Sequence, residues 1–179
     1  MLEGTDREVL SLYDYPDALV IEEDGDSFLE NALKKARYVS QYTGETVIAD
    51  DSGLEVDILE GRPGVYSARY SGVDATDKKN NERLLTELQG ISSEKRKAAF
   101  RCVLVLCKRD GTYQSFDGKL EGVIGFETKG REGFGYDPLF VVPEYGCTVA
   151  ELGPDIKNTI SHRAKALRKL RNSLQKETA

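Results

Sequence analysis

Thr46-Val47-Ile48-Ala49-Asp50-Asp51-Ser52-Gly53-Leu54 starts as a short apolar run and ends in two adjacent carboxylates. Val47, Ile48 and Ala49 have the make-up of a buried strand, and the Asp-Ser-Gly that follows has the chemistry of a turn. In an α/β protein, ligands bind at the carboxyl ends of such strands. A carboxylate there needs a cation or hydrogen-bond donors to offset its desolvation. Asp50 and Asp51 therefore read in one of two ways. They are turn residues bonding the local backbone, or they are oxygen ligands for Mg²⁺, which takes one or two carboxylates and completes its shell with water and phosphate.

Upstream, Ser27-Phe28-Leu29-Glu30 forms a capping box. It opens a helix carrying Phe28, Leu29, Ala32, Leu33, Ala36 and Val39 on one face, and Gly44 stops it. Glu30 has a structural role in that cap. Glu22, Glu23 and Asp24 precede the helix, after the apolar pair Leu19-Val20. Acidic residues there suit a solvated turn beside the positive end of a helix dipole.

Downstream, a second helix from about Lys78 to Leu88 packs Leu84, Leu85 and Leu88, with Gly90 as its stop. Lys97 to Lys108 alternates, with Phe100, Cys102, Leu104 and Leu106 on one side and Arg101, Val103, Val105 and Cys107 on the other. Both sides are largely apolar, which predicts a central strand. Asp110-Gly111 marks a hairpin, with a strand resuming near Tyr113 and another at Leu139–Val142. A final helix from about His162 to Gln175 is expected to bury Ala164, Leu167, Leu170 and Leu174. The mixture predicts an α/β fold with a mixed sheet and flanking helices.

The 179 residues fit one domain, and 39% of them are hydrophobic, enough for a real core. A net charge of -6 excludes a protein that wraps a nucleic-acid backbone. Cys102, Cys107 and Cys147 are odd in number and lack CxxC spacing, and His162 is the lone histidine. Neither a disulfide framework nor a zinc site is expected, and a cytoplasmic, reducing location fits. No apolar stretch is long enough to span a membrane and no signal peptide opens the sequence.

Three further segments carry chemistry. In Gly130-Arg131-Glu132-Gly133-Phe134-Gly135-Tyr136-Asp137-Pro138, glycines allow a ligand to approach the backbone. Phe134 or Tyr136 suits stacking on a flat heterocycle, and Asp137 suits hydrogen bonds from its edge. A hairpin loop with an aromatic tucked into the core is the alternative. Lys157, Asn158, Ser161, His162 and Arg163 cluster before and within the start of the last helix, with Ser161 as N-cap. Cations at a helix N-terminus oppose its dipole, which favours a ligand carbonyl or phosphate over a mere surface cluster. His162 is expected to be neutral there and to donate one hydrogen bond. In Gly64-Val65-Tyr66-Ser67-Ala68-Arg69-Tyr70, Arg69 has the reach for a phosphate or a carboxylate.

These pieces, in this order, resemble the inosine-triphosphate pyrophosphatase family of non-standard purine nucleoside triphosphate pyrophosphatases. The resemblance rests on Ala49-Asp50-Asp51-Ser52-Gly53-Leu54, on Gly61 to Arg69, on Gly133 to Pro138 and on Ile160-Ser161-His162-Arg163. It implies an elongated α/β fold with two lobes around a cleft, a homodimer, and Mg²⁺-dependent hydrolysis of inosine, xanthosine and deoxyinosine triphosphates to the monophosphate and pyrophosphate. It further implies that Asp51 is the catalytic carboxylate and a metal ligand, with Glu22 as a second metal carboxylate and Glu23 one residue away. Ser52 looks like a substrate contact. Phe134, Gly135, Tyr136 and Asp137 resemble the base loop, and Lys157, His162 and Arg163 resemble the purine-reading set. A 6-keto purine presents an acceptor that those donors meet, whereas the adenine amino group would leave them unpaired.

The resemblance breaks at the beginning. The family opens with a buried strand ending in Thr/Ser-x-Asn-x-x-Lys, which grips the triphosphate, and Met1-Leu2-Glu3-Gly4 falls near the end of the family's first helix. The expectation is a chain without that strand and without its Asn and Lys ligands. It either starts late or is a shortened protein with weak catalysis. A non-catalytic purine-nucleotide-binding module is the competing class, and a pyrophosphatase for modified pyrimidine nucleotides is a third, disfavoured by the His162-Arg163 pair and the Phe134 loop.

Overall fold

The computed structural model describes residues 8–15 and 21–177. Leu19-Val20 and Met1 to Gly4 lie outside the described residues. The main elements are α1 (Phe28–Thr43), β1 (Val47–Val56), α2 (Asp77–Glu87), β2 (Lys97–Cys107), β3 (Tyr113–Ile124), β4 (Phe140–Val142), β5 (Cys147–Thr148), α3 (Val149–Ile160) and α4 (His162–Glu177). The strands form one sheet in chain order, β1-β2-β3-β4-β5. β3 pairs antiparallel with β4, and β4 with β5. The connection from β2 to β3 is closed by Lys108 N donating to Thr112 O at 2.8 Å. The expected α/β organisation is therefore present.

Two compact units divide the chain. The first comprises the described residues up to Asp51, with Val103–Asp117 and the described residues from Ala166 onward; the second comprises Ser52–Cys102 and Gly118–Lys165.

In the first unit, Ser27 caps α1 by accepting from Glu30 N at 3.2 Å, and Gly44 ends the helix with φ 70°. Glu30 reaches back one residue further than a capping box requires, to Asp26 N at 2.8 Å. Ala32 and Ala36 of α1 pack against Val103, Val105 and Cys107 of β2 and Val47 and Ala49 of β1. Leu106, one step along β2, packs instead with Phe116 of β3 and Leu167, Leu170 and Leu174 of α4. Successive strand residues point to opposite faces. α1 and α4 thus cover the two faces of β2, which is why its alternation is apolar on both sides.

The second unit is built around Leu54, Val56, Leu84, Leu88, Phe100, Ile124, Leu139 and Phe140, all buried. Phe100 and Phe140 stack with ring centroids 4.4 Å apart. Tyr70 donates to Glu87 at 2.8 Å, and Arg62 and Arg83 hold the same carboxylate at 2.9 and 3.0 Å. This tie fastens the 3-10 helix Gly64–Arg69 to α2.

Two sequence expectations are corrected, and one helix was not anticipated. β1 does not turn after Asp50; it runs through Asp50, Asp51, Ser52 and Gly53 to Val56. Leu54 and Val56 are fully buried beyond that point, and their burial overrides the turn chemistry of Asp-Ser-Gly. Helix α3 was hidden by its own Gly153 and Pro154: the chain kinks at Gly153 (φ 74°), and a Gly-Pro pair reads as a breaker. In α4 it is Ala166, fully buried, rather than half-buried Ala164 that joins Leu170 and Leu174 inside.

Candidate active site

The sequence-derived residues fall into two sets, one in each unit. The first is organised by two periodicities. Val47, Ala49 and Asp51 share a face of β1 because strand residues repeat every second position. That face packs on α1, where Asn31 and Lys35 lie one turn apart among the apolar residues. Asn31 has no exposed surface. Its Nδ2 donates to Asp51 Oδ2 at 3.0 Å, and its Oδ1 accepts from Gly25 N at 2.8 Å. Lys35 Nζ lies 2.7 Å from Glu23 Oε1 and 3.6 Å from Asp51 Oδ1. Asp51 is only 7% exposed, so its charge is answered by an amide and a shared ammonium rather than by water. One ammonium thus faces two carboxylates.

Lys35 and half-buried Asp50 also line a cavity of about 1220 Å³ in this unit, whose walls include Val47, Ala49, Leu104 and Leu106. The charged group therefore borders open space at Lys35. Of the three acidic candidates before and within α1, Glu23 is the one that shares a cation with Asp51. Glu22 is exposed, and Glu30 is engaged by the backbone at Asp26. Asp24 pairs with Lys34, which holds its carboxyl below the usual range.

The donor set fits Mg²⁺ chemically. Asp51 and Glu23 offer only hard carboxylate oxygen, with no cysteine or histidine. Among the described residues no group of three or more His, Cys, Asp and Glu could hold a metal by itself. An ion here would rely on water and substrate phosphate for most of its shell, as Mg²⁺ does.

The second set is centred on Phe134. Its ring is 61% exposed, while Tyr136 and Asp137 on the same loop are buried. Tyr136 donates its hydroxyl to Ser67 O at 2.9 Å, and burial pushes its phenol pKa well up. Of the two rings the sequence offered, Phe134 is thus the one with exposed surface. Asp137 Oδ2 accepts from Phe134 N at 3.0 Å and is paired with the ammonium of Lys157. Lys157 Nζ lies 4.5 Å from the Phe134 ring centroid, and the Arg163 guanidinium carbon lies 5.6 Å from it. Two cations thus flank one exposed aromatic ring, a polarised surface suited to an electron-rich heterocycle.

Lys157 departs from the sequence expectation. It belongs to the last turn of α3, where a cation suits the dipole, and not to the start of α4. Ser161 is the N-cap of α4, accepting from Ala164 N at 3.1 Å. His162 is 7% exposed and its ring stacks on Phe100, with centroids 5.0 Å apart and planes 21° apart. Arg69 is exposed, with its guanidinium carbon 5.0 Å from the Tyr66 centroid. Ser52 is half-buried in β1.

The Ham1 family model matches residues 1–173, nearly the whole chain. The chain belongs to the Ham1 family. It is 52% identical over 174 residues to a dITP/XTP pyrophosphatase of Geobacter sulfurreducens, covering 97% of this chain and 87% of that protein. A dITP/XTP pyrophosphatase of Desulforamulus reducens is 50% identical over 169 residues, covering 94% of this chain and 84% of the relative. Among solved structures, the Coxiella burnetii HAM1 protein matches with a TM-score of 0.91 and 38% identity, covering 98% of this chain and 90% of that one. The Staphylococcus aureus Ham1 protein matches with a TM-score of 0.87 and 42% identity, covering 93% and 85% respectively.

Sequence reasoning missed two residues of this Ham1-family chain's first set, Asn31 and Lys35. A signal was available. Positions 28, 32, 36 and 39 of α1 are buried, and helical spacing places 31 and 35 within the same stripe. A polar amide and an ammonium inside an apolar stripe require partners, and the carboxylate end of the neighbouring strand provides them.

Proposed function

We propose that this chain hydrolyses non-standard purine nucleoside triphosphates, of the inosine and xanthosine type, to the monophosphate and pyrophosphate. A nucleoside triphosphate has two chemically distinct ends, and the chain carries a residue set suited to each. The observation that carries the reading is the exposed Phe134 ring flanked by Lys157 and Arg163. A purine stacked there meets hydrogen-bond donors, which favour a keto oxygen at position 6 over an amino group. The names of the Geobacter and Desulforamulus relatives support the same substrate class.

In this reading Asp51 and Glu23 hold Mg²⁺, with Glu22 the alternative to Glu23. The ion supplies charge neutralisation on the phosphate oxygens when bound. Asp51 orients the attacking water and accepts its proton. Asn31 fixes the Asp51 carboxylate so that one oxygen stays directed. Lys35 offers its ammonium to negative charge that develops on the transferred phosphoryl group. Ser52, Gly135, Tyr136, Asp137 and His162 complete the substrate-binding set. A homodimer and a cytoplasmic location belong to the same reading; no helix among the described residues is long and apolar enough to cross a membrane.

The test is pyrophosphate release from inosine triphosphate with Mg²⁺, with adenosine triphosphate as control. Selective turnover supports the enzyme. Binding of inosine triphosphate with no pyrophosphate release points instead to a purine-nucleotide-binding module.

A further inference from the structure

The residues that hold the Phe134 loop in place lie on α2, outside every motif read from the sequence. Asp77 opens that helix and Asn81 follows one turn later, so both side chains leave on one face. Asp77 Oδ2 accepts from Gly135 N at 2.6 Å. Asn81 Nδ2 donates to Gly135 O at 2.9 Å. A single helical turn thus takes both backbone polar groups of one glycine, whose φ of 60° is left-handed.

Gly135 sits directly between Phe134 and Tyr136. Burial does not fix the Phe134 ring, because the residue is mostly exposed; Asp137 holds its backbone N–H, and the Gly135 backbone on its C-terminal side is the other anchor. Asn80 extends the grip. Its Nδ2 donates to Ser67 O at 3.3 Å and Ala68 O at 3.1 Å, and its Oδ1 accepts from Ser71 N at 2.8 Å. Ser67 O also receives the Tyr136 hydroxyl. α2 therefore ties the Phe134 loop and the segment around Ser67 to one rigid element.

Asn81 is 6% exposed, and its Oδ1 has no hydrogen-bond partner among the described residues. A buried acceptor left unpaired destabilises a fold. A helix chosen for stability alone would carry an apolar residue there. The amide is explained by its other half, the donor on the Gly135 carbonyl.

We propose that Asp77 and Asn81 are positioning residues for base recognition, which hold Gly135 and thereby fix the Phe134 ring against which the purine stacks. This rests on the proposed function. The variants D77A, N81A and F134A, the conservative D77N and the doubles D77A/F134A and N81A/F134A are assayed with inosine and adenosine triphosphates, with thermal midpoints measured in parallel. D77A and N81A raise KM for inosine triphosphate about tenfold, leave kcat within about twofold, and narrow the preference over adenosine triphosphate by a similar factor. D77N keeps an acceptor oxygen for Gly135 N and stays within about twofold of the parent. In the F134A background neither alanine adds to KM, because the ring they position is gone. D77S and N81S repeat the test if an alanine variant does not fold.

KM values unchanged in D77A and N81A while F134A raises KM overturn the inference and leave the base-loop reading intact. Effects that add fully to F134A, or that fall on kcat alone, also overturn it. F134A without effect on KM or preference overturns the base-loop reading, and this inference with it.

Discussion

Gly133 and Gly135 stand two residues apart in one loop and both have left-handed φ, 82° and 60°. They meet different surroundings. A Cβ on Gly133 would lie 2.1 Å from Asp137 Oδ2 and 2.9 Å from its carboxyl carbon, whereas one on Gly135 would meet nothing within 4 Å. Replacing either by alanine costs about 1–2 kcal/mol for the left-handed backbone. At position 133 the Asp137 carboxylate must also move. That carboxylate is 3% exposed and holds both Phe134 N and the Lys157 ammonium. Disrupting a largely buried ion pair costs a further ~3–5 kcal/mol. The expected loss is roughly 4–7 kcal/mol for Gly133→Ala against about 1–2 for Gly135→Ala. For a chain of this size the thermal midpoint moves about 2–4 °C per kcal/mol. Calorimetry should show a drop of about 8–28 °C in the first variant and only ~2–8 °C in the second. Where Gly133→Ala remains folded, KM for inosine triphosphate should rise with it, since Phe134 and Asp137 move together. Equal shifts in the two variants would refute the reasoning, because they would mean that Asp137 does not lie against Gly133.

Asn31→Ala removes one hydrogen bond to a charged group and one to a backbone amide, and should lower stability by about 2–4 kcal/mol in urea unfolding; a loss under 1 kcal/mol would contradict the Asp51 contact. Asp51→Asn should cut turnover at least ~10³-fold with the fold retained by circular dichroism, and parent-like turnover would remove Asp51 from the chemistry. Stability should also fall at both ends of the pH scale through the Tyr70–Glu87 pair. Burial and the Glu87 carboxylate push Tyr70 up from 10.0 to about 12. The folded state therefore keeps a proton that the unfolded chain loses, and stability present below pH 10 is lost as pH rises through 12. Burial pushes Glu87 up, but the hydrogen bonds from Tyr70 and Arg83 and the charge of Arg62 outweigh it and leave it below 4.5. Its contribution is present above pH 4.5 and is lost as pH falls below that value. Tyr70→Phe should flatten the alkaline loss in denaturant titrations; an unchanged slope would exclude Tyr70 as its source.

The elements legible in the sequence were those with local signals. Ser27 and Gly44 bracket α1, and the double-sided alternation of β2 marks a strand covered on both faces. The end of β1 was misread and α3 went unread, in both cases where local and tertiary signals conflict. Asp50 to Gly53 has turn chemistry, yet Leu54 continues the strand and its N–H is held by Ser67 Oγ at 2.8 Å. The Gly153-Pro154 pair breaks α3 in the middle without ending it. At the site, motif residues were legible because their chemistry is unusual in sequence: paired aspartates, a glycine-framed aromatic, cations near a helix start. Asn31, Lys35, Asp77 and Asn81 were not, because polar residues on a helix look like solvent-facing residues until the neighbouring strand or loop is known. The choice between Glu22 and Glu23 depends on which one faces α1, and periodicity cannot supply that outside a regular element.

That β1 runs unbroken through Asp50 and Asp51 makes the two aspartates a matter of parity. Odd positions from Val47 to Asp51 face α1, and even positions face away. Neighbours in sequence are therefore opposites in space, and Asp50 cannot stand in for a lost Asp51. With the upstream residues held in register, deleting one residue between Val47 and Asp50 would swap the faces of the two aspartates, turning Asp51 away from α1. Deleting two would preserve every assignment and merely shorten the strand. The carboxylate opposite Asn31 and Lys35 is thus protected by arithmetic: the segment tolerates length changes in steps of two, and a single-residue slip disarms it without altering its composition.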